Sequence, residues 1–250
     1  AQLDVAAVVL VATVRALKRH GGVAKEKLAE PDPAAVLRGM ENLYKHIENI
    51  RLFGRTPVVA MNRFATDSEE ELAVVENGCK ALGVPVALAE IFTKGGEGGR
   101  ELATTVLAQA KLATAPYTPL YDWNLSIPEK IEAIATKIYG ARSVSYAKAA
   151  TRDLKQIVAL GYGGLPICVA KTQNSLSDDP TLVNRPRDFD ITVRRIVLSA
   201  GAGFVVPLLG EIIRVPGLPT QPQAAKMEWV NGEVVGLLGG RAGPRPLAAT

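Results

Sequence analysis

The sequence contains little that would place it among metal-binding, disulfide-stabilised or membrane-spanning proteins. It has two cysteines and two histidines in 250 residues, and none of them has the spacing of a metal site. Cys79 and Cys168 form no C-x-x-C motif, so we expect two buried free thiols in a reducing compartment. No apolar run approaches the ~20 residues that cross a bilayer. A secretory signal is also missing, which predicts a cytoplasmic protein.

An excess of charge of one sign is missing as well. The chain has 29 basic and 25 acidic residues, a formal charge of +4, and 48% hydrophobic residues. The basic residues are scattered, which argues against a nucleic-acid-binding surface. The composition is typical of a globular protein of one large domain or two, with small molecules as its partners rather than nucleic acid or membrane.

What the sequence does contain is an alternation of strands and helices in its first 113 residues. Valine-rich or apolar runs predict strands at 6–14, 57–61 and 84–89. Apolar residues at helical spacing follow each of them, and Asp32 with Pro33 and then Asp67 are the predicted helix starts. The alternation predicts a parallel sheet, whose ligands bind outside the carboxyl ends of the strands. Three polar segments lie at those ends: 13–15, 62–67 and 92–100.

The last of these segments is rich in glycine. Gly95, Gly96, Gly98 and Gly99 surround Glu97, and glycines there would let the backbone approach an anionic ligand. The pattern is neither G-x-x-x-x-G-K-[ST] nor G-x-G-x-x-G, so an ordinary strand-to-helix connection is an equally good interpretation. The neighbouring Phe92 and Lys94 favour a ligand site.

From about residue 116 the pattern changes. Ser126 and Glu129 form a predicted capping box. Predicted helices at 127–138 and 151–160 and strands at 165–170, 191–198 and 204–209 indicate a smaller mixed α/β subdomain at 116–238. Asn231-Gly232 predicts a hairpin turn, and 239–250 is the predicted flexible tail. Lys171 opens a polar loop at 171–180 that is long enough to suggest a function.

Several of these candidates have two interpretations. Phe64 and Phe92 follow consecutive strands, where they either pack in the core or stack on a planar ligand. Asn62 either recognises a base or serves the turn. Arg15, at the end of the first strand, and Lys171 are further possible site residues.

Many of the segments quoted above also occur, in the same order, in one enzyme family. They include Val-Leu-Val-Ala-Thr-Val-Arg-Ala-Leu-Lys at 9–18, Asn-Arg-Phe at 62–64, Lys-Gly-Gly-Glu-Gly-Gly at 94–99, Ala-Lys-Thr-Gln at 170–173, Ser-Asp-Asp-Pro-Thr at 177–181 and Ser-Ala-Gly-Ala-Gly-Phe at 199–204. From the first strand to about Leu238 the chain resembles formate–tetrahydrofolate ligase, also called formyltetrahydrofolate synthetase.

The resemblance implies a fold, a reaction and a folate site. It implies a sheet like that of P-loop NTPases, a homotetramer, and ATP-dependent joining of formate to tetrahydrofolate through formyl phosphate. Mg²⁺ and a monovalent cation, K⁺ or NH₄⁺, would assist. Phe64 and Phe92 match the aromatic pair that sandwiches the folate ring, where many members have tryptophan at the second position. Leu88 and Asn62 belong to the same implied folate site.

One departure from the family concerns the phosphates. The phosphate loop of the family and the arginine that holds formyl phosphate have no counterpart here. We therefore expect a C-terminal half, whose residues 1–115 complete a nucleotide- and folate-binding domain and whose partner is an N-terminal half. On this expectation the chain carries no assignable catalytic residue and no metal ligand. A catalytically silent folate-binding or regulatory module is the alternative. A dinucleotide-binding dehydrogenase has only fold analogy in its favour.

Overall fold

A computed structural model describes residues 5–112, 116–210, 222–230 and 233–235. The chain divides into two compact units, Ala1–Ile212 and Ile213–Thr250. The predicted turn at Asn231-Gly232 and the predicted tail at 239–250 lie outside the described residues. Within the described ranges, no helix is both long and apolar enough to cross a membrane.

The first sheet is parallel, as predicted. Its strands are β1 (Val9–Ala12), β2 (Val58–Asn62) and β3 (Val86–Ala89), in the order β1-β2-β3. The register places Val9 opposite Val58 and Asn62 opposite Ala89. The carboxyl ends of all three strands therefore lie at one edge, which is where the sequence predicted a ligand site.

Three helices connect these strands: α1 (Val14–His20), α2 (Pro33–Arg51) and α3 (Glu69–Ala81). The Asp32 cap of α2 is confirmed, because Asp32 Oδ1 accepts from Ala35 N at 2.8 Å. Two expectations were wrong. The polar segment after β1 is the helix α1, and the cap of α3 is Ser68 rather than Asp67, since Ser68 and Glu71 form a reciprocal capping box.

The glycine-rich segment is helical rather than an open loop. A short helix, α4 (Ile91–Lys94), is followed by a 3₁₀ helix at Gly95–Gly99 and then by α5 (Arg100–Leu112). Gly95, with φ of 60° and ψ of −145°, ends α4. Only glycine adopts that conformation readily, so the chain can turn there and resume as a helix.

The second part of the chain is α/β, as predicted, and its sheet contains both parallel and antiparallel pairs. Strands β4 (Ser143–Tyr146), β5 (Asp190–Ser199) and β6 (Phe204–Leu209) pair parallel and then antiparallel. Helix α6 (Ile127–Ala133) has the predicted capping box and continues as a π-helix over Ile134–Tyr139, and α7 (Lys148–Ala159) follows β4. The predicted strand at 165–170 is reduced to single bridges from Ile167 and Ala170 to β6.

Each sheet has its own hydrophobic core. The first lies between β1–β3 and α1–α3, and the second between β4–β6, α6 and α7. Both belong to the unit Ala1–Ile212, so the predicted boundaries at 115 and 238 stay predictions. Cys79 is buried in the first core, which raises its pKa to about 11. Cys168 was expected to be buried but is exposed, because it lies in the segment that borders β6 at the sheet edge.

The second unit contains a pair of antiparallel strands. Its described elements are a 3₁₀ helix at Gln223–Lys226 and the strands β7 (Glu228–Val230) and β8 (Glu233–Val235). The two strands pair antiparallel, with Trp229 opposite Val234. The predicted strand pairing is thereby confirmed.

Candidate functional site

The carboxyl ends of β1 and β2 carry a stacked cation. Arg15, in the first turn of α1, has its guanidinium carbon 4.4 Å from the ring centroid of Phe64. The same guanidinium donates to Thr66 Oγ1 at 3.2 Å. Thr13 caps α1 by accepting from Ala16 N, which orients the helix that carries Arg15. The sequence analysis gave Arg15 only as a further possible site residue. The structure stacks it on the ring of Phe64, a main candidate for the folate site.

The turn after β2 is held by Asp67. Asp67 Oδ2 accepts from Phe64 N at 2.8 Å, and Asp67 N donates to Phe64 O at 3.0 Å. The side chain is 6% exposed, and its Oδ1 has no hydrogen-bond partner. The sequence suggested only a helix cap here. A buried carboxylate with a free oxygen needs the tertiary structure to be seen.

The two candidate stacking rings differ in their surroundings. Phe92, on α4, is 91% exposed, whereas Phe64 is 36% exposed and has Arg15 over one face. Among the described aromatic side chains, Phe53 stacks on Tyr117, but Phe64 and Phe92 form no ring pair. A planar ligand can therefore use the whole of Phe92. At Phe64 it must use the face opposite Arg15 or displace the guanidinium.

A chain of charges joins the ends of β2 and β3. Glu90, immediately after β3, pairs with Lys94 and lies 4.0 Å from Arg63, which also pairs with Glu69. These partners lower the pKa of Glu90, with the Lys94 hydrogen bond as the largest cause. Lys94 is thus a paired cation rather than a bare one. The sequence analysis missed Glu90 and Arg63, although both flank predicted site residues.

The four glycines differ in whether the backbone requires glycine at their positions, and for what reason. A side chain at Gly98 would place Cβ 2.5 Å from the carbonyl oxygen of Glu90, so the close approach of two backbones requires glycine there. Gly95 requires its positive φ, and a Cβ at Gly99 would meet Ile91 at 3.2 Å. Gly96 has neither constraint: a Cβ there meets nothing within 4 Å. Glu97, between them, pairs with Arg100.

The remaining folate candidates lie at the ends of the strands or beneath them. Asn62 is half-buried in the last paired position of β2, beside the end of β3. Leu88 is half-buried and packs against the first hydrophobic core. Asn62 therefore stands at the edge of the sheet, while Leu88 supports the sheet from the side of α2 and α3.

Lys171 has its contacts elsewhere. Its ammonium lies 5.1 Å from the ring centroid of Tyr139 and donates to the carbonyl oxygens of Thr172 and Ser175. Burial lowers its pKa to about 8, against a smaller opposing effect of Asp178. The contacts are with the second half of the chain, not with the ends of β1–β3.

A buried ion pair fixes the helices that carry the site. Lys18 and Glu71 are fully buried, with their charged atoms 2.8 Å apart. Lys18 also donates to Glu30 O, and the Glu71 carboxylate accepts from Asp32 N and Ser68 N. The pair connects α1, which carries Arg15, to the start of α3, which follows Asp67. Both charged groups thus have further hydrogen-bond partners, which helps such a pair to be tolerated in a core.

A separate cavity of about 480 Å³ lies away from the strand ends. Its wall is mainly apolar and aromatic and includes Phe53, Tyr117, Trp123 and Phe204. The sequence analysis did not anticipate it. The described part of the chain holds no group of three or more His, Cys, Asp or Glu that could bind a metal ion.

The fold and the strand-end geometry define the class of this protein. The chain is an α/β protein whose parallel sheet carries an exposed aromatic ring, a stacked arginine and a buried carboxylate outside the carboxyl ends of its strands. Proteins of this architecture bind small molecules there. The family model of formate–tetrahydrofolate ligase matches residues 1–238. The chain belongs to that family, which confirms the resemblance seen in the sequence. The ligases of this family act on formate and tetrahydrofolate and use ATP.

Proposed function

We propose that this chain supplies the folate side of an ATP-dependent ligase that forms 10-formyltetrahydrofolate. The γ-phosphoryl group of ATP passes to formate, which gives formyl phosphate and ADP. N10 of tetrahydrofolate then attacks the formyl carbon, and phosphate leaves. The observation that carries the proposal is the family match over residues 1–238.

The strand-end geometry supports the folate assignment. Phe92 and Phe64 offer ring faces to a planar pterin, and a stacked aromatic contact contributes about 0.5–1.5 kcal/mol beyond burial. Glu90 ties Lys94 to the segment that follows β2, so the two ring-bearing segments are held together by charge. Asn62 and Leu88 complete the proposed site, with the glycine segment beside it.

The residues of this chain do not fit the phosphate chemistry. The 250 residues contain no G-x-x-x-x-G-K-[ST], and phosphoryl transfer needs such positioning groups. We assign neither Mg²⁺ nor the monovalent cation to any residue here. The proposal takes the phosphate loop from an N-terminal half, with tetramers of complete subunits in the cytoplasm. It is supported by β1, an edge strand of the described sheet whose Val9 and Val11 are exposed.

An activity assay tests whether the folate site and the phosphate site are supplied by two different chains. We would measure formate-dependent ADP release and 10-formyltetrahydrofolate for the 250-residue chain alone and after co-expression with a chain that carries the phosphate loop. The proposal expects turnover only from the pair. Robust turnover by the single chain would show that the phosphate site is built from the residues present.

A silent folate-binding or regulatory module is the second candidate, favoured by the lack of a phosphate-loop motif. Isothermal titration of the chain with tetrahydrofolate separates the two. Tight binding that a phosphate-loop partner neither improves nor converts into turnover would support the module. Binding that strengthens with the partner would support the ligase half.

A further inference from the structure

Two buried polar atoms at the candidate site have no hydrogen-bond partner. They are Arg15 Nε and Asp67 Oδ1. The side chains that the structure describes include four such atoms, so two of the four occur at this one place. Buried polar groups are nearly always hydrogen-bonded in folded proteins, so each exception needs an explanation, such as a functional role or a bound water or ion. The two atoms therefore form a candidate recognition pair.

Both atoms are tied to Phe64. The guanidinium carbon of Arg15 lies 4.4 Å from the centroid of the Phe64 ring. The other carboxylate oxygen of Asp67 accepts from the Phe64 backbone N–H at 2.8 Å. Phe64 therefore links the two residues, since Arg15 contacts its ring and Asp67 accepts from its backbone N–H.

The opposite charges of the pair limit the ligand. An isolated anion is attracted by Arg15 but repelled by Asp67, and an isolated cation meets the reverse. The pair instead suits a neutral planar edge that carries an N–H donor beside a carbonyl acceptor. The nearby charges of Arg63, Glu69, Glu90 and Lys94 already pair with one another.

The pyrimidine edge of a pterin has this arrangement. Its 2-amino group and N3–H donate, and its 4-carbonyl, next to N3, accepts. We propose that Asp67 accepts from the 2-amino and N3–H side of a pterin while Arg15 donates to its 4-carbonyl, so that the two residues determine specificity for the pterin ring. The inference rests on the proposed folate function and adds to it the groups that recognise the ring edge.

Three pteridines test the proposal by equilibrium titration without ATP or formate. The reference is pterin. Lumazine replaces the 2-amino donor by a carbonyl. 2,4-Diaminopteridine replaces the 4-carbonyl by an amino group and also lacks the N3–H. A site built to hydrogen-bond one edge strongly rejects an analogue that leaves its polar groups unpaired. We expect the unaltered chain to bind pterin at least about tenfold more tightly than either analogue.

Two variants test which residue causes each of the two binding preferences. Asp67→Asn keeps an oxygen for the Phe64 N–H but presents an amide N–H₂ on the other side. It should bring the pterin-to-lumazine ratio to about one or below and weaken the preference over diaminopteridine, which lacks the N3–H that Asp67 accepts from. Arg15→Met keeps apolar cover on Phe64 but removes the donors. It should weaken the preference over diaminopteridine and leave the pterin-to-lumazine ratio unchanged. The control Asp179→Asn alters another turn carboxylate, one that accepts from Thr181 N, and should change neither ratio.

The outcomes separate this inference from the proposed function. If no pteridine binds either to the chain alone or to the chain with its phosphate-loop partner, both fall. If all three bind and the unaltered chain does not discriminate among them, the recognition pair is wrong while the folate function stands. That comparison needs no variant, so it decides even where Asp67→Asn fails to fold. Ratios that are unchanged in both folded variants also overturn the inference.

Discussion

Segment 90–99 after β3, which overlaps the predicted polar segment 92–100, and the predicted polar loop 171–180 lie in opposite environments. In the first, every residue from Ile91 to Glu97 is exposed. In the second, Ser175, Leu176 and Ser177 are buried, and Ser177 is only 1% exposed. Both follow apolar runs and both suggested a ligand site.

The buried segment uses its polar atoms on itself and on β5. Ser177 N donates to Ser175 Oγ, and Asp179 N donates to Ser177 Oγ. Asp178 Oδ2 accepts from Thr192 N in β5 at 3.0 Å. The length of this loop therefore has a structural explanation, since it covers the second sheet with its hydrogen bonds satisfied. In segment 90–99 the charges pair along the surface and Phe92 is left open.

The difference teaches that a polar loop does not indicate function by its composition. What matters is whether the fold satisfies the polar groups and covers the apolar ones. This comparison favours the strand-end segment as the ligand site and assigns the 171–180 segment to stability. Lys171 as a site residue stays a prediction.

The largest effect should come from Asp178. Asp178→Ala removes the acceptor of Thr192 N, and leaving a partly buried donor unpaired costs about 1–3 kcal/mol of unfolding free energy. Denaturant unfolding would measure it. Asp179→Ala, in the same loop but exposed, is the matched control and should cost less. Equal losses would mean that the segment is not anchored through β5.

The glycines give the next largest effect. Gly98→Ala forces a backbone shift against Glu90 and should cost about 1–3 kcal/mol of stability. Gly96→Ala meets no protein atom within 4 Å and should change stability by less than about 0.5 kcal/mol. Lower turnover by the assembled Gly96→Ala enzyme at an unchanged melting temperature would place a ligand at this backbone. Full turnover by this variant would mean that the segment only connects β3 to α5.

Phe92→Ala should affect binding alone. The ring is 91% exposed, so the free energy of unfolding should stay within about 0.5 kcal/mol of the original. Loss of a stacking face worth ~0.5–1.5 kcal/mol corresponds to a roughly 2- to 10-fold higher KM for tetrahydrofolate. Phe92→Trp should be neutral or lower KM. Leu107→Ala, at another exposed apolar position, is the control, and an equal KM change there would remove the special role of Phe92.

The smallest expected effect is a pH dependence from Lys171. Burial lowers its pKa to about 8, whereas an unfolded lysine titrates near ~10.4. Between these values the unfolded chain binds more protons, so the stability contribution of Lys171 rises with pH. The unfolding free energy of the original minus that of Lys171→Met should increase from about pH 8 to pH 10. Burial of Cys79 acts in the opposite sense but is common to both proteins, so it cancels. A flat difference would show that Lys171 is fully solvated.

The candidate site was predictable in part. Because strand ends of a parallel sheet share an edge, the alternation of strands and helices was enough to bring Arg15, Phe64 and Phe92 to one region. The pairing of Lys94 with Glu90 was not predictable, since it depends on the helical form of 91–94. Nor was the stack of Arg15 on Phe64, which joins residues 49 positions apart through the docking of α1 beside β2.

The sequence by itself determined the parallel sheet, the α/β character of the second part, the Asp32 and Ser126 helix caps, and the family, because these depend on local propensity, hydrophobic period and contiguous motifs. It misplaced the cap of α3 and expected Cys168 to be buried, because competition between neighbouring caps and position in a sheet are settled outside the local sequence. Only the tertiary structure decided which polar loop is open and which is buried. It also decided that Arg15 Nε and Asp67 Oδ1 are buried without a hydrogen-bond partner, since hydrogen-bond satisfaction depends on all the elements that pack around an atom.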